Sequence, residues 1–217
     1  MEISSELKDK IANIVMEWWH EYKRDFPWRR ERDPYKVLIT LVLLKKTTAR
    51  QVARVYDRFF GCYPCLESLA CADLEELKRV LRPLGLYNTR APILVSLARV
   101  LLEEFGGVIP RDRETLVRLP GVKDYTANAF LVFMYNVDLP LVDTNVTRFI
   151  TRFFGLNTKS IYSREVMEIA AKLIPKGKSR DFNLALLDFS SLVCTARKPK
   201  CNTCPLNTLC KSASRSD

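Results

Sequence analysis

The chain has 217 residues, 47% of them hydrophobic, enough for a sizeable core in one or two domains. Its 35 Lys and Arg against 25 Asp and Glu give a formal charge of +10 and a pI near 9.3. That surplus favours a polyanionic partner, nucleic acid above all, because neutralised phosphates release condensed counterions. No apolar run approaches the roughly 20 residues that span a bilayer. The N-terminus, MEISSELKDK, has no signal-peptide core, and seven cysteines without a secretory signal point to a reducing compartment. These features predict a soluble, intracellular protein.

The predicted elements are almost wholly helical. Leu7, Ile11, Ile14, Val15, Trp18 and Trp19 recur at helical spacing, and that segment ends near Asp25-Phe26-Pro27. The single histidine, His20, reads as packing at the end of this helix. Pro34 opens a helix over residues 37–44 that is apolar all round and therefore buried. Others are predicted over 49–60, 73–81 (Asp73 as N-cap, Glu76 completing a capping box), 93–104, 124–134, 144–154, 163–173 and 180–193. Seven glycines and no sustained alternation leave little room for a sheet, so the class is all-α. The last residues, SASRSD, read as a frayed tail.

Two segments carry chemistry. Cys194, Cys201, Cys204 and Cys210 lie in CTARKPKCNTCPLNTLC, spaced C-x6-C-x2-C-x5-C. Four thiolates in one loop can enclose a metal centre. A four-cysteine zinc site usually has two C-x2-C knuckles, so this spacing leans towards iron–sulfur. The bland alternative is four buried or disulfide-bonded cysteines. The second segment is LVRLPGVKDYTANAF: an apolar helix ending at Leu119, a tight Pro120-Gly121-Val122 turn, and a new helix from Asp124. The N–H groups at a helix N-terminus, with the helix dipole, suit a DNA phosphate. An ordinary helix–turn–helix corner is the alternative. Cys62, Cys65 and Cys71 have no fourth ligand nearby and read as free thiols without an assigned purpose.

With FPWR, DPYKVLITLVLLKKTT, LGLYNTRA, LPGVKDYTA, NVDLPLVDTNVTRF and the cysteine loop, the chain resembles the helix-hairpin-helix DNA glycosylase superfamily. Within it the resemblance is strongest to the archaeal thymine/uracil–guanine mismatch glycosylases. It implies two helical domains, residues 26–135 with six helices and the hairpin, and residues 1–25 with 136–217 carrying a [4Fe–4S] loop at 194–210. DNA and the flipped base would sit in the cleft between them, bound by a monomer. Asp143 matches the catalytic aspartate, which the dipole of the helix it opens would keep ionised; the alternative is a mere N-cap. Tyr125 stands where bifunctional members carry the lysine that forms a Schiff base, which implies a glycosylase without lyase activity and a tyrosine lining the base pocket.

Leu41 occupies the place of the glutamate that protonates adenine in adenine mismatch glycosylases. Adenine excision is therefore not expected, and thymine or uracil opposite guanine is. Lys45 matches the residue that fills the gap left by the flipped nucleotide and Leu86 the wedge facing the opposite strand. Without the family, Lys45-Lys46 would read as a solvated pair and Leu86 as core. Gly121, Lys46, Arg148, Arg197, Lys198 and Lys200 are expected to meet DNA, with Arg148 and Arg152 facing either DNA or solvent. Lys123, which replaces a second hairpin glycine, is also expected to meet DNA. The rival readings are a glycosylase for another damaged base, and a non-catalytic cluster-bearing DNA-binding protein, which would have no need of Asp143.

Overall fold

The computed structural model describes residues 3–158, 160 and 163–213. The end of the predicted tail, residues 214–217, lies outside them. Among the described residues there are eleven α-helices and no strand. In chain order they are α1 (Ser5–Tyr22), α2 (Pro34–Leu43), α3 (Ala49–Cys62), α4 (Leu66–Ala70), α5 (Leu74–Leu81), α6 (Tyr87–Phe105), α7 (Arg113–Leu116), α8 (Asp124–Tyr135), α9 (Thr144–Phe154), α10 (Arg164–Leu173) and α11 (Ser179–Leu192). They fall into two units, one of residues 25–135 and the other of residues 1–24 with 136–217.

The first unit is built on α2. Every residue from Val37 to Leu43 is buried, as its all-round apolarity predicts, and the helix packs against α8. Asp33 caps it, accepting the Tyr35 N–H at 2.9 Å, with Pro34 in the first turn. The unit holds seven α-helices rather than six; the extra one, α4, is too short to show a period. The hairpin's first helix is α7, which stops at Leu116 and not at Leu119. Leu119 precedes Pro120, and a residue before proline is pushed out of the helical region. α6 starts at Tyr87 and not at Ile93: the helix runs through Pro92, which costs it one ladder bond. Asp73 caps α5 by accepting the Glu76 N–H at 2.9 Å, but Glu76 pairs with Arg79 at 3.5 Å and no capping box forms.

In the second unit α1 packs on α10 and α11, and α9 on the same two helices. Asp188, fully buried on α11, receives Trp19 Nε1 (3.0 Å), the Arg24 N–H (3.0 Å) and Arg24 Nε (2.6 Å). One carboxylate thus ties both α1 and the chain that leaves it to α11. His20 is exposed instead of packed, with its ring 6.1 Å from that of Trp19. It falls on the face of α1 opposite the buried Ile11, Val15 and Trp19 stripe.

Candidate active site and metal centre

The hairpin between α7 and α8 depends on one residue. Gly121 has φ +77°, and a Cβ there would fall 2.5 Å from Ile93 Cγ2 and 3.5 Å from Val42 Cγ1. Only glycine fits both the backbone and the space. The next residue, Val122, is 1% exposed and donates to Leu119 O at 3.1 Å, closing the turn. Lys123 is exposed and lies outside the left-handed region, so the departure from glycine costs the backbone nothing; its carbonyl accepts the Ala127 N–H at 2.9 Å as α8 begins. Tyr125, the second residue of α8, is half-buried.

Lys45 reaches this turn from the end of α2, its Nζ donating to Gly121 O at 2.8 Å. Burial lowers the pKa of this ammonium, and the charges of Lys123, Arg90 and Lys46 lower it further. Lys46 is exposed with φ 55°. Leu86 stands 54% exposed, contrary to the core reading of the bare sequence, and also adopts a left-handed conformation, φ 52°. Leu41 is 6% exposed on α2.

Asp143 sits at the N-cap of α9. Its Oδ1 accepts the N–H groups of Asn145 and Val146, both at 2.8 Å, and its Oδ2 accepts Asn145 Nδ2 at 2.9 Å. A carboxylate offers about four lone-pair sites, so capping leaves acceptor capacity on Oδ2. The loop leading to it is held by α11. Asn183 accepts the buried Leu141 N–H (2.8 Å) and donates to Leu139 O (3.0 Å), while Ser179 Oγ donates to Val137 O (2.8 Å). These bonds fix the carboxylate's position before α9 starts.

The four C-terminal cysteines line one cavity of about 230 Å³, with Phe149, Phe153, Phe189, Val193 and Leu206 among its walls. Burial raises the pKa of the Cys204 thiol, and the Cys210, Cys194 and Cys201 thiols push it the same way, as four sulfurs sharing one space must. Among the described residues, no three His, Cys, Asp or Glu side chains close on a point suited to a single ion. A roomy, apolar, four-thiol cavity is what a polynuclear iron–sulfur cluster needs, and a lone zinc would leave it largely empty. The residues present therefore fit a cluster, which all four thiols would hold.

Residues 39–176, well over half of the chain, match the family described as HhH-GPD superfamily base excision DNA repair protein. The chain belongs to that superfamily. Residues 194–210 match the iron-sulfur binding domain of endonuclease III. A Methanothermobacter thermautotrophicus protein named thymine/uracil-DNA glycosylase is 40% identical over 213 residues, covering 97% of this chain and 96% of that one. Among solved structures, a thermostable thymine-DNA glycosylase aligns with a TM-score of 0.91 at 39% identity, covering 96% and 97% of the two chains. A trapped endonuclease III–DNA covalent intermediate aligns at 0.86 and 28%, covering 99% of each. This HhH-GPD protein is a DNA glycosylase, a DNA-binding hydrolase of N-glycosyl bonds in base excision repair, and its cofactor is a [4Fe–4S] cluster. No helix of the described residues is long and apolar enough to cross a membrane.

Not every residue expected at the DNA is turned to solvent in this HhH-GPD fold. Arg197, Lys198 and Lys200 are exposed on the cysteine loop. Arg148 is not available in the same way: Nε donates to Cys194 O (2.8 Å), and Nη2 to Asn145 Oδ1 and Ser190 O (both 3.0 Å). It braces the end of α11, and through Asn145 it connects the cysteine loop to Asp143. Arg152 does similar work, donating to Thr195 O (2.7 Å) and Ala196 O (2.9 Å) and lying 3.6 Å from Cys194 Sγ. Carbonyls in the last turn of α11 and in the cysteine loop after it draw both guanidiniums inward. Cys62, Cys65 and Cys71 are exposed free thiols. Sequence reasoning missed Asn145, Asn183, Asp188 and Arg90. Only Asn145, two residues after a predicted N-cap, carried a local signal.

Proposed function

We propose that this glycosylase removes thymine or uracil mispaired with guanine and leaves the strand uncut, with Asp143 and Tyr125 at the reacting nucleotide. The carrying observation is Tyr125 on the first turn of α8, immediately after the Gly121 hairpin. A phenol cannot form the imine through which an amine-bearing enzyme cleaves the strand, so water must complete the reaction. The name of the Methanothermobacter relative, matched over nearly the full length of both chains, favours the same bases.

The surroundings of the residues support these roles. Leu86, more than half exposed and apolar, enters the base stack and offsets the cost of unstacking by kinking the duplex. A mispaired base costs less to extrude, which supplies part of the selectivity. Lys45 exchanges the Gly121 carbonyl for an acceptor in the gap. The α8 N-terminus and Lys123 meet phosphate on one unit; Lys46 does so on the α2–α3 turn, and Arg197, Lys198 and Lys200 on the cysteine loop. Tyr125 and Leu41 line the base pocket. Leu41 cannot protonate a purine, whereas thymine and uracil leave as anions. Asp143 stabilises the positive charge that develops on the deoxyribose and orients the attacking water. Cys194, Cys201, Cys204 and Cys210 hold the cluster, which supplies a structural staple and leaves no open coordination position for hydrolysis. Seven cysteines with no disulfide among the described residues fit a reducing intracellular compartment, where the enzyme works as a monomer.

The test is single-turnover base release from T·G, U·G, A·8-oxoguanine and thymine glycol duplexes. Strand breaks are expected only for the first two, and only after alkali. A covalent complex trapped by borohydride would refute the argument from Tyr125.

A further inference from the structure

Arg90 is a buried cation with no carboxylate among its recorded partners. On α6, 6% exposed, it directs every hydrogen-bonding arm of its guanidinium to neutral acceptors on two separate turns. Nε donates to Gly85 O at 3.1 Å. Nη1 donates to Val42 O and Leu43 O, both at 3.2 Å, and Nη2 to Lys45 O and Thr47 Oγ1. The first acceptor immediately precedes Leu86. The others are two carbonyls at the end of α2 and the two residues flanking Lys46. Thr47 Oγ1 also lies 3.4 Å from Leu84 O, a second link between the same turns.

Leu86 and Lys46 share a further property. They are the two non-glycine residues of this unit with positive φ, at 52° and 55°. A left-handed conformation costs roughly 1–2 kcal/mol for a residue with a Cβ, so it persists only where the surroundings impose it. The same guanidinium bonds beside both residues, to Gly85 O before Leu86 and to Lys45 O and Thr47 Oγ1 on either side of Lys46. Its planar fork carries five donors in fixed directions, whereas an ammonium has three on one atom. A charge buried without a counterion is itself unfavourable, yet the α2 C-terminus provides the negative end of a helix dipole for it.

We infer that Arg90 is a positioning residue that locks the Lys45–Lys46 turn and the Gly85–Leu86 turn at a fixed separation, presenting gap-filler and wedge to the duplex as one preorganised unit. The inference rests on the wedge and gap-filler roles proposed above. Those roles require only that the two side chains reach DNA; the lock requires that they do so together, before contact.

The experiment uses full-length, cluster-loaded enzyme and a U·G duplex with 2-aminopurine beside the mismatch. Flipping is followed by stopped-flow fluorescence, and release by single-turnover kinetics. For Arg90→Met the expected result is loss of the fluorescence rise and a roughly 100-fold slower release, the scale of a 1 Å misplacement in an oriented site. Affinity for matched duplex, which reads phosphate contacts, stays unchanged. Arg90→Lys restores only part of the flipping. Wild-type flipping in a folded Arg90→Met, beside impaired flipping in Leu86→Ala, overturns the inference and spares the wedge. Wild-type flipping in Leu86→Ala removes the wedge reading and the inference with it. Where Arg90→Met does not fold, Thr47→Val decides: it keeps the core but removes the hydroxyl serving both turns, and unchanged flipping there overturns the lock.

Discussion

Replacing Gly121 with alanine tests whether the hairpin is as tightly specified as its geometry implies. Two costs add. The first is conformational: at φ +77° a Cβ costs roughly 1–2 kcal/mol. The second is steric: the new methyl would lie 2.5 Å from Ile93 Cγ2, a separation that forces the neighbour to move, and overpacking of this kind costs about 1–3 kcal/mol. Ile93 is half-exposed and can yield somewhat, so the total is about 2–5 kcal/mol. For a chain of this size each kcal/mol moves Tm by about 2–4 °C, which places the expected fall at roughly 4–20 °C. Circular dichroism melts of Gly121→Ala, Ile93→Ala and the double variant separate the terms. Removing Cγ2 in the double variant relieves the clash and leaves the backbone cost, so the double mutant should be more stable than the sum of the singles predicts. A neutral Gly121→Ala, or strict additivity, refutes the reasoning.

Three further outcomes are expected. Asp143→Asn should slow base release by about 100- to 1,000-fold in single-turnover assays, the effect of losing one electrostatic stabiliser. Its melting curve should hardly change, because asparagine caps a helix about as well as aspartate; equal losses of stability and activity would reduce Asp143 to a cap. Arg24→Met, which removes the cation paired with the fully buried Asp188, should destabilise by about 3–5 kcal/mol in urea denaturation, as breaking a buried pair does. Arg152→Ala releases the Thr195 and Ala196 carbonyls, so a chelator should bleach the cluster's visible absorbance faster than in the wild type, while DNA-free helicity is retained.

The long helices were legible because each is announced by local chemistry: Asp33-Pro34 before a strongly apolar run, Ser163 before Arg164, Asp143 before Thr144, Gly155 after Phe154. Local signals also misled. The helix expected to begin at Ile93 begins at Tyr87 and runs through Pro92, and Leu86, core in the bare sequence, is exposed. Interactions that span tens of residues are invisible to such signals. The acceptors that Arg90 reaches at the end of α2 and on the turn after it are 43–48 positions away, and the carbonyls that hold Arg148 are 42–46 away. Periodicity reports which face of a helix is apolar, but not which buried cation caps which distant helix.

The same distinction applies at Asp143, where the bland and the functional readings use one geometry. The two backbone N–H groups that make it a helix cap hold Oδ1 in place, and Asn145 fixes Oδ2 from the side. A carboxylate that must face developing positive charge has to be rigid and oriented before the substrate arrives, since reorganisation during the reaction would consume the stabilisation it provides. Capping achieves that rigidity with donors the helix must satisfy in any case. The Asn183 and Ser179 bonds to the preceding loop, and the Arg148 link from Asn145 to Cys194 O, extend the restraint to α11 and the cysteine loop. On the role proposed for Asp143, the N-cap is therefore the means by which the carboxylate is preorganised, and the cysteine loop contributes by holding Arg148, the brace on Asn145.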